Sequence, residues 1–303
     1  MSGLPLTMAA EIAAALEGRR EGRQWRCRCP IHGGRSLLVR DGDAGRILVF
    51  CQGGCEPPDV LAALRRSGLF RGTSENYQLP PMGRNDCPGE AVRMARALAV
   101  WREARPADGT IVETYLANRG LALTSPRCLR FHPDCPHPSG RRLPAMVALV
   151  DHCKRGPVGV HRTYLRPDGS DKAAAEAAKA SLGPIAGGAV QLATIQPGRW
   201  TLIAEGIETA LSVGQSCGFP AWAALSAGGI RNLVLPAEAC MLLICADNDG
   251  NGVGQRAANA AAERFLAEGR RVRIALPPIS GLDFNDLLRG SASAHIDEKR
   301  HVA

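Results

Sequence analysis

Apolar positions follow two different rhythms along this chain, and the change between them divides it. From about residue 200 onward, strand-length apolar runs recur at 200–204, 221–225, 241–245 and 272–275. Between them lie helical segments, including an Ala-rich stretch after Gly254. An apolar run without alternation reads as a strand covered on both faces. Strands alternating with helices predict a parallel sheet with helices on either side. Upstream the units are smaller. Strand-like runs at 36–40 and 46–50 sit inside a Cys/His/Gly-rich stretch, 25–55, flanked by helical patterns at 5–20 and 58–68. Pro58 and Asp59 start the second helix, and Val60, Leu61 and Leu64 share a face. Residues 70–90 are polar and rich in Pro and Gly, as a linker is. Helices follow at 89–105 and around 114–120. A β-rich unit then spans 128–165, with strands at 146–150 and 159–165 and a turn at 167–169. The polar end, 291–303, reads as a frayed tail. No internal repeat is visible.

Composition narrows the class. At 303 residues and 45% hydrophobic, the chain can build two or three domains with real cores. Lys and Arg number 37 against 29 Asp and Glu, a formal charge of +8. That balance points to an anionic partner, nucleic acid first, although solubility alone accounts for it equally well. Arg dominates and Lys is scarce, which suits phosphate forks and equally reflects a GC-rich genome. The 11 cysteines are odd in number and unevenly spaced. The N-terminus lacks a signal pattern, and no apolar stretch reaches the roughly 18 residues of a membrane span. A cytoplasmic, reducing location is expected, where clustered cysteines mean metal more often than disulfide.

One such cluster has metal-ligand spacing. Cys29-Pro-Ile-His32 is followed, 19 positions after His32, by Cys51-Gln-Gly-Gly-Cys55. Two close pairs separated by a hairpin-sized insert suit tetrahedral Zn²⁺, and four protein ligands make such a site structural. Cys27 competes with Cys29, but Cys29 is favoured because Cys-x-x-His is the usual spacing, whereas Cys27 to Cys29 is too tight. Arg35, Arg40 and Arg46 flank the hairpin, either to meet phosphates or as a solvated face.

Carboxylates collect at the ends of the later strands. Glu205 follows the run 200–204 and Gly206 then opens a helix; Asp247 and Asp249 follow the run 241–245; Asp283, Asn285 and Asp286 follow the last strand after a Pro-Pro loop. Strand ends of such a sheet converge on one rim. An isolated Asp-x-Asp often only caps a helix. Three acidic groups after three strands instead suit two Mg²⁺ ions about 4 Å apart, for displacement at phosphorus. Glu205 is then closest to an acid/base role.

The stretches 203–210, 225–230, 246–250 and 283–286 resemble, in order and spacing, the Toprim domain shared by primases, topoisomerases and some nucleases. The Cys-Pro-x-His and Cys-x-x-x-Cys pairs, with residues 60–64 after them, are similar to the zinc-binding module of bacterial and phage DNA primases. Zinc module, linker and Toprim core is the order of a DnaG-type primase. The resemblance implies an α/β chain: a small zinc-ribbon-like β module over 1–70, a linker over 71–90, a basic α+β part of the primase core over 91–199, a parallel-sheet Toprim domain over 200–290 and a tail over 291–303. It implies RNA primer synthesis on a single-stranded DNA template from ribonucleoside triphosphates, with structural Zn²⁺ on Cys29, His32, Cys51 and Cys55. Catalytic Mg²⁺ or Mn²⁺ would sit on Glu205, Asp247, Asp249 and Asp283. Arg162, Lys172 and Lys179, around 161–165 and beyond, would meet phosphates; the alternative is a charged hairpin surface.

The chain departs from the pattern in places. Where many primases carry an acid four positions after the Toprim glutamate, Thr209 stands, with Glu208 one earlier. That weakens any claim for a further metal ligand on this helix. No Gly-x-x-x-x-Gly-Lys-Ser/Thr loop is found, so a separate helicase, or a phage or mobile-element setting, is expected. Two competing readings remain: a non-catalytic, single-stranded-DNA-binding Toprim protein of the recombination-mediator type, and a Toprim nuclease. A topoisomerase would need a strand-cleaving Tyr in another domain.

Overall fold

The computed structural model of the chain describes residues 7–21, 24–42, 46–51, 55, 57–70, 89–123, 127–248 and 252–290. Most of the expected linker (71–88), the tail (291–303) and Asp249 lie outside the described residues. The chain divides into two units, residues 1–87 with 226–228 and residues 88–225 with 229–303.

In the first unit, α1 (Met8–Ala15) is capped by the Thr7 hydroxyl, which accepts from the Ala10 N–H, and buries Ala9, Ile12 and Ala13. The helix is shorter than its pattern suggests. Glu17 takes a left-handed φ of 50°, and the Gly18 N–H closes onto the Ala13 carbonyl at 2.6 Å. A Cβ on Gly18 would stand 2.7 Å from Ala13 and 2.8 Å from the Cys27 sulfur, so only glycine allows this reversal. Strands β1 (Arg19–Glu21), β2 (Gln24–Cys27), β3 (Leu37–Asp41) and β4 (Ile47–Cys51) form an antiparallel meander in that order. Helix α2 (Pro57–Arg66) opens on two prolines, whose missing N–H groups cost nothing in a first turn, and buries Val60, Leu61, Ala63 and Leu64.

The second unit begins with α3 (Glu90–Glu103), β5 (Arg105–Pro106) and α4 (Ile111–Ala117), the last capped by Thr110. Strands β6 (Leu129–Pro136), β7 (Arg142–His152), β8 (Gly156–Tyr164) and β9 (Lys179–Leu182) complete an antiparallel sheet ordered β5-β6-β7-β8-β9. Ala97, Val100 and Ala104 of α3 pack on Val160 and Tyr164, covering one face. The other face, with Met146, Ala148 and Leu165, joins Val112, Tyr115 and Leu116 of α4 in a core shared with the following sheet.

That following sheet contains β10 (Val190–Gln191), β11 (Trp200–Ala204), β12 (Ala221–Ala223), β13 (Met241–Cys245) and β14 (Arg271–Ala275) in the order β10-β12-β11-β13-β14. All neighbouring pairs are parallel except the edge strand β10, which runs antiparallel to β12. Helices α5 (Ile207–Cys217), α6 (Ala227–Asn232), α7 (Val253–Ala267) and α8 (Phe284–Leu288) are interleaved. Ala258, Ala261 and Phe265 of α7 bury against Ile203, Leu242 and Ile244, while Ile207, Ala210 and Leu211 of α5 bury with Leu202 and Ala204 on the opposite face. Both faces of β11 are therefore covered, which is why its apolar run shows no alternation. Strand β12 stops earlier than expected, because Leu225 turns left-handed at φ 72°.

Candidate functional site

The first unit gathers four soft donors. After β2 the chain folds into a tight turn, with the Gly33 N–H on the Cys29 carbonyl and the Cys29 N–H on the Gly34 carbonyl, both at 2.8 Å. Gly34 leaves room for the His32 ring, which a Cβ there would approach to 2.9 Å. Cys51 ends β4, and one ligand atom from each of Cys29, His32, Cys51 and Cys55 falls within 4.8 Å of all the others. The Cys29 and Cys55 sulfurs are 3.8 Å apart, and His32 Nε2 is 3.2 Å from the Cys51 sulfur. Tetrahedral zinc with Zn–S near 2.3 Å requires sulfur–sulfur separations of about 3.8 Å, so the donor set fits that ion. The Cys29 thiol donates to Cys51, holding Cys51 far below the usual thiol range and pushing Cys29 up. Cys27 is buried, its thiol raised to about 11 by desolvation, and takes no part in the cluster.

The second unit holds a cleft of about 190 Å³ at the carboxyl ends of the parallel strands. Three of the four expected acids line it: Glu205, Asp247 and Asp283. Each is placed by backbone. Glu205 leaves β11, and its carbonyl accepts from the strained Leu225 N–H at 2.8 Å, tying the β11 and β12 ends together. Asp247 follows β13. Asn248 then acts as a staple: its Nδ2 donates to the Pro277 carbonyl at 2.8 Å, and its own carbonyl accepts from the Gly281 N–H at 2.7 Å. This draws the loop after β14 inward and brings Asp283 to the cleft. Asp283 also caps α8 in a capping box with Asp286, each side chain accepting from the other's backbone N–H. Asp286 and Asn285 do not line the cleft; the buried Asn285 amide donates to the Arg119 carbonyl and the Ser212 hydroxyl.

The lining also holds basic groups. Lys172 and Lys179 both line the cleft, as expected, and so does Arg119. They converge on a residue the sequence reading set aside. Glu208, on the first turn of α5 and 6% exposed, accepts from Lys179 at 3.0 Å, from Lys172 at 3.2 Å and from the Tyr115 hydroxyl at 2.7 Å. Desolvation would raise its pKa, but the two ammonium groups and the Tyr115 hydroxyl hold it far below the ordinary carboxylate range. Lys172 is itself lowered, chiefly by burial. Arg119 stacks over Tyr115 and pairs with Asp171 at 2.7 Å. His161 also lines the cleft; burial first, then Lys179, pushes its pKa down to about 3, so the ring is neutral. Its Nδ1 meets the Ser181 hydroxyl at 2.9 Å.

Arg162, expected with the two lysines, lies elsewhere. It lies next to His161 on β8, hence on the opposite face of the strand. Its guanidinium is buried and donates to the carbonyls of Pro136, Ala180 and Ser181. It does not line the cleft.

Residues 200–294 match the Toprim domain, and residues 91–192 match a domain of unknown function (DUF7146). The chain thus carries a Toprim-matching parallel-sheet region together with an N-terminal Cys-His-Cys-Cys group. Its structure is similar to the zinc-binding and RNA polymerase domains of the Aquifex aeolicus primase, at 14% identity over 94% of this chain and 80% of that one, with a TM-score of 0.46. It is also similar to a DNA primase domain from Pseudomonas aeruginosa, at 18% identity over 65% of this chain and 74% of that one, with a TM-score of 0.43. Among the described residues, no helix is long and apolar enough to cross a membrane.

Proposed function

We propose that this chain is a DNA primase, joining ribonucleotides into short primers on single-stranded DNA. One observation carries the reading: one cleft is lined by three strand-end carboxylates of the Toprim-matching segment and by two lysines and an arginine. That arrangement suits a substrate that is both anionic and accompanied by a cation. Lys172, Lys179 and Arg119 would meet the phosphates of the nucleotide. Glu205 is the carboxylate offered for moving a proton at the attacking hydroxyl. Carboxylate oxygens are the donors Mg²⁺ or Mn²⁺ favours, so Glu205, Asp247 and Asp283, with Asp249, would hold the ion, whose chemistry when bound is to neutralise charge developing on phosphorus oxygens. Leu225 and Ile207 wall the cleft with apolar surface that limits water. Zinc on Cys29, His32, Cys51 and Cys55 would hold the first unit together. The division at 1–70, 71–90, 91–199, 200–290 and 291–303 belongs to the same reading, as do a single-stranded template, ribonucleoside triphosphates and a separate helicase as partners.

The test is primer synthesis on random single-stranded templates, with labelled ribonucleotides and Mg²⁺ or Mn²⁺. Wild type should form oligomers, and Asp247→Asn or Glu205→Gln should reduce incorporation by about 10²- to 10³-fold while leaving the fold intact. Absence of oligomers with both metals would overturn the reading. Strand cleavage lost in the same variants would mark a nuclease; DNA binding indifferent to those acids would mark a mediator-type scaffold.

A further inference from the structure

Glu208 sits between two cations in the same cleft as the other acids. Its Oε1 receives Tyr115 and Lys172, and its Oε2 receives Lys179. Glu205, Asp247 and Asp283 come from the strand-end loops, whereas Glu208 belongs to the first turn of a helix, where the dipole further favours its charge. The choice of cation is also informative. The chain has 37 Lys and Arg, but its lysines are only Lys154, Lys172, Lys179 and Lys299. Arginine serves nearly everywhere, yet both groups beside Glu208 are lysines. An ammonium is compact enough, and its donors rotate freely enough, for two to share one carboxylate, where planar guanidinium forks would crowd.

We propose that Glu208 is a positioning residue that holds Lys172 and Lys179 side by side on the anion wall of the cleft, ready for a polyphosphate, and that it does not ligate the cation. This rests on the reading of the cleft as a nucleotide site. Without the carboxylate, the two ammonium groups repel each other and move apart into solvent, and the paired anion site is lost. His161, neutral on β8, and Arg119, held by Asp171 and stacked on Tyr115, do not replace that counter-charge.

The experiment is calorimetric binding of inorganic tripolyphosphate, without metal, to the full chain and to Glu208→Gln, Lys179→Gln and the double variant. Each single substitution should weaken binding about tenfold, and the double should be no more than about threefold weaker than the worse single, because both remove one arrangement. A separate titration with Mn²⁺ alone, read by paramagnetic resonance, should give Glu208→Gln the wild-type affinity and should weaken in Asp247→Asn. Should Glu208→Gln fail to fold, Tyr115→Phe removes only a hydroxyl aimed at Glu208. It should weaken tripolyphosphate about two- to fivefold in wild type and not in the Lys179→Gln background. Unchanged or tighter tripolyphosphate binding, additive losses, or Mn²⁺ affinity lost in Glu208→Gln would each overturn the proposal. A chain that shows the coupling but makes no primers would sink the primase reading and leave this one; a chain that primes without coupling would do the reverse.

Discussion

The Cys29–His32–Cys51–Cys55 cluster and the cleft around Glu205 suit two cations in opposite ways. The cluster is closed: four soft donors already lie within bonding range of one centre, and every one of them comes from protein. The cleft is open and of mixed sign, lined by both hard carboxylates and ammonium groups. A closed donor set stabilises a fold that is too small to stabilise itself, whereas an open one leaves positions for a reactant. The difference teaches that burying charge near a cation is structural only when the charges are spent on one another.

The contrast can be broken at its strongest point first. Cys51→Ser should abolish the ordered first unit, since zinc binding in modules of this size is worth on the order of 10 kcal/mol. Chelation of wild type should do the same, read as lost amide protection over residues 24–51; protection that survives both treatments would show the cluster is not a staple. Next, Arg162→Gln should destabilise the second unit by about 2–4 kcal/mol, because it leaves buried carbonyls without donors. Tripolyphosphate affinity should stay within about twofold, and a large loss there would return Arg162 to the binding site.

A smaller effect follows from His161. Its pKa falls from the usual 6.5 to about 3 on folding. The unfolded chain therefore binds a proton that the folded chain refuses, so stability is complete above the unfolded value and is lost as pH falls through that window. The loss is bounded by about 1.4 kcal/mol per pH unit. Denaturant titrations at pH 7 and pH 5 should show His161→Asn losing less stability than wild type; equal losses would mean the ring charges in the fold. The smallest effect concerns the capping box: Asp286→Ala should cost about 1 kcal/mol in thermal unfolding and leave nucleotide incorporation within about twofold.

Much of this was legible in the sequence because it is local. The strands of the parallel sheet are contiguous apolar runs, and the four donors of the cluster come as two short pairs, so spacing alone exposes them. Glu205 and Asp247 were legible because topology brings strand ends to one rim. Glu208 was not, because its partners come from α4 and from the segment around β9, and no spacing joins Tyr115, Lys172 and Lys179 to one helical carboxylate. The face on which Arg162 lies was not legible for a related reason. Strand β8 is buried almost throughout, so its pattern carries no alternation to tell the face of His161 from the face of Arg162. Asn248 hid between two acids that drew the attention; its amide shapes the cleft by holding a loop 29 residues away.

The hydrogen bond from Tyr115 to Glu208 has a genetic consequence. Tyr115 and both lysines belong to the segment matching the domain of unknown function, while Glu208 belongs to the Toprim segment. A crossover between the two would deliver a buried carboxylate without its ammonium partners to one descendant, and the partners without the carboxylate to the other. Each product would carry an intact domain by sequence and a broken site by charge. The smallest piece of this chain that can be inherited with its chemistry whole is therefore the pair of segments together.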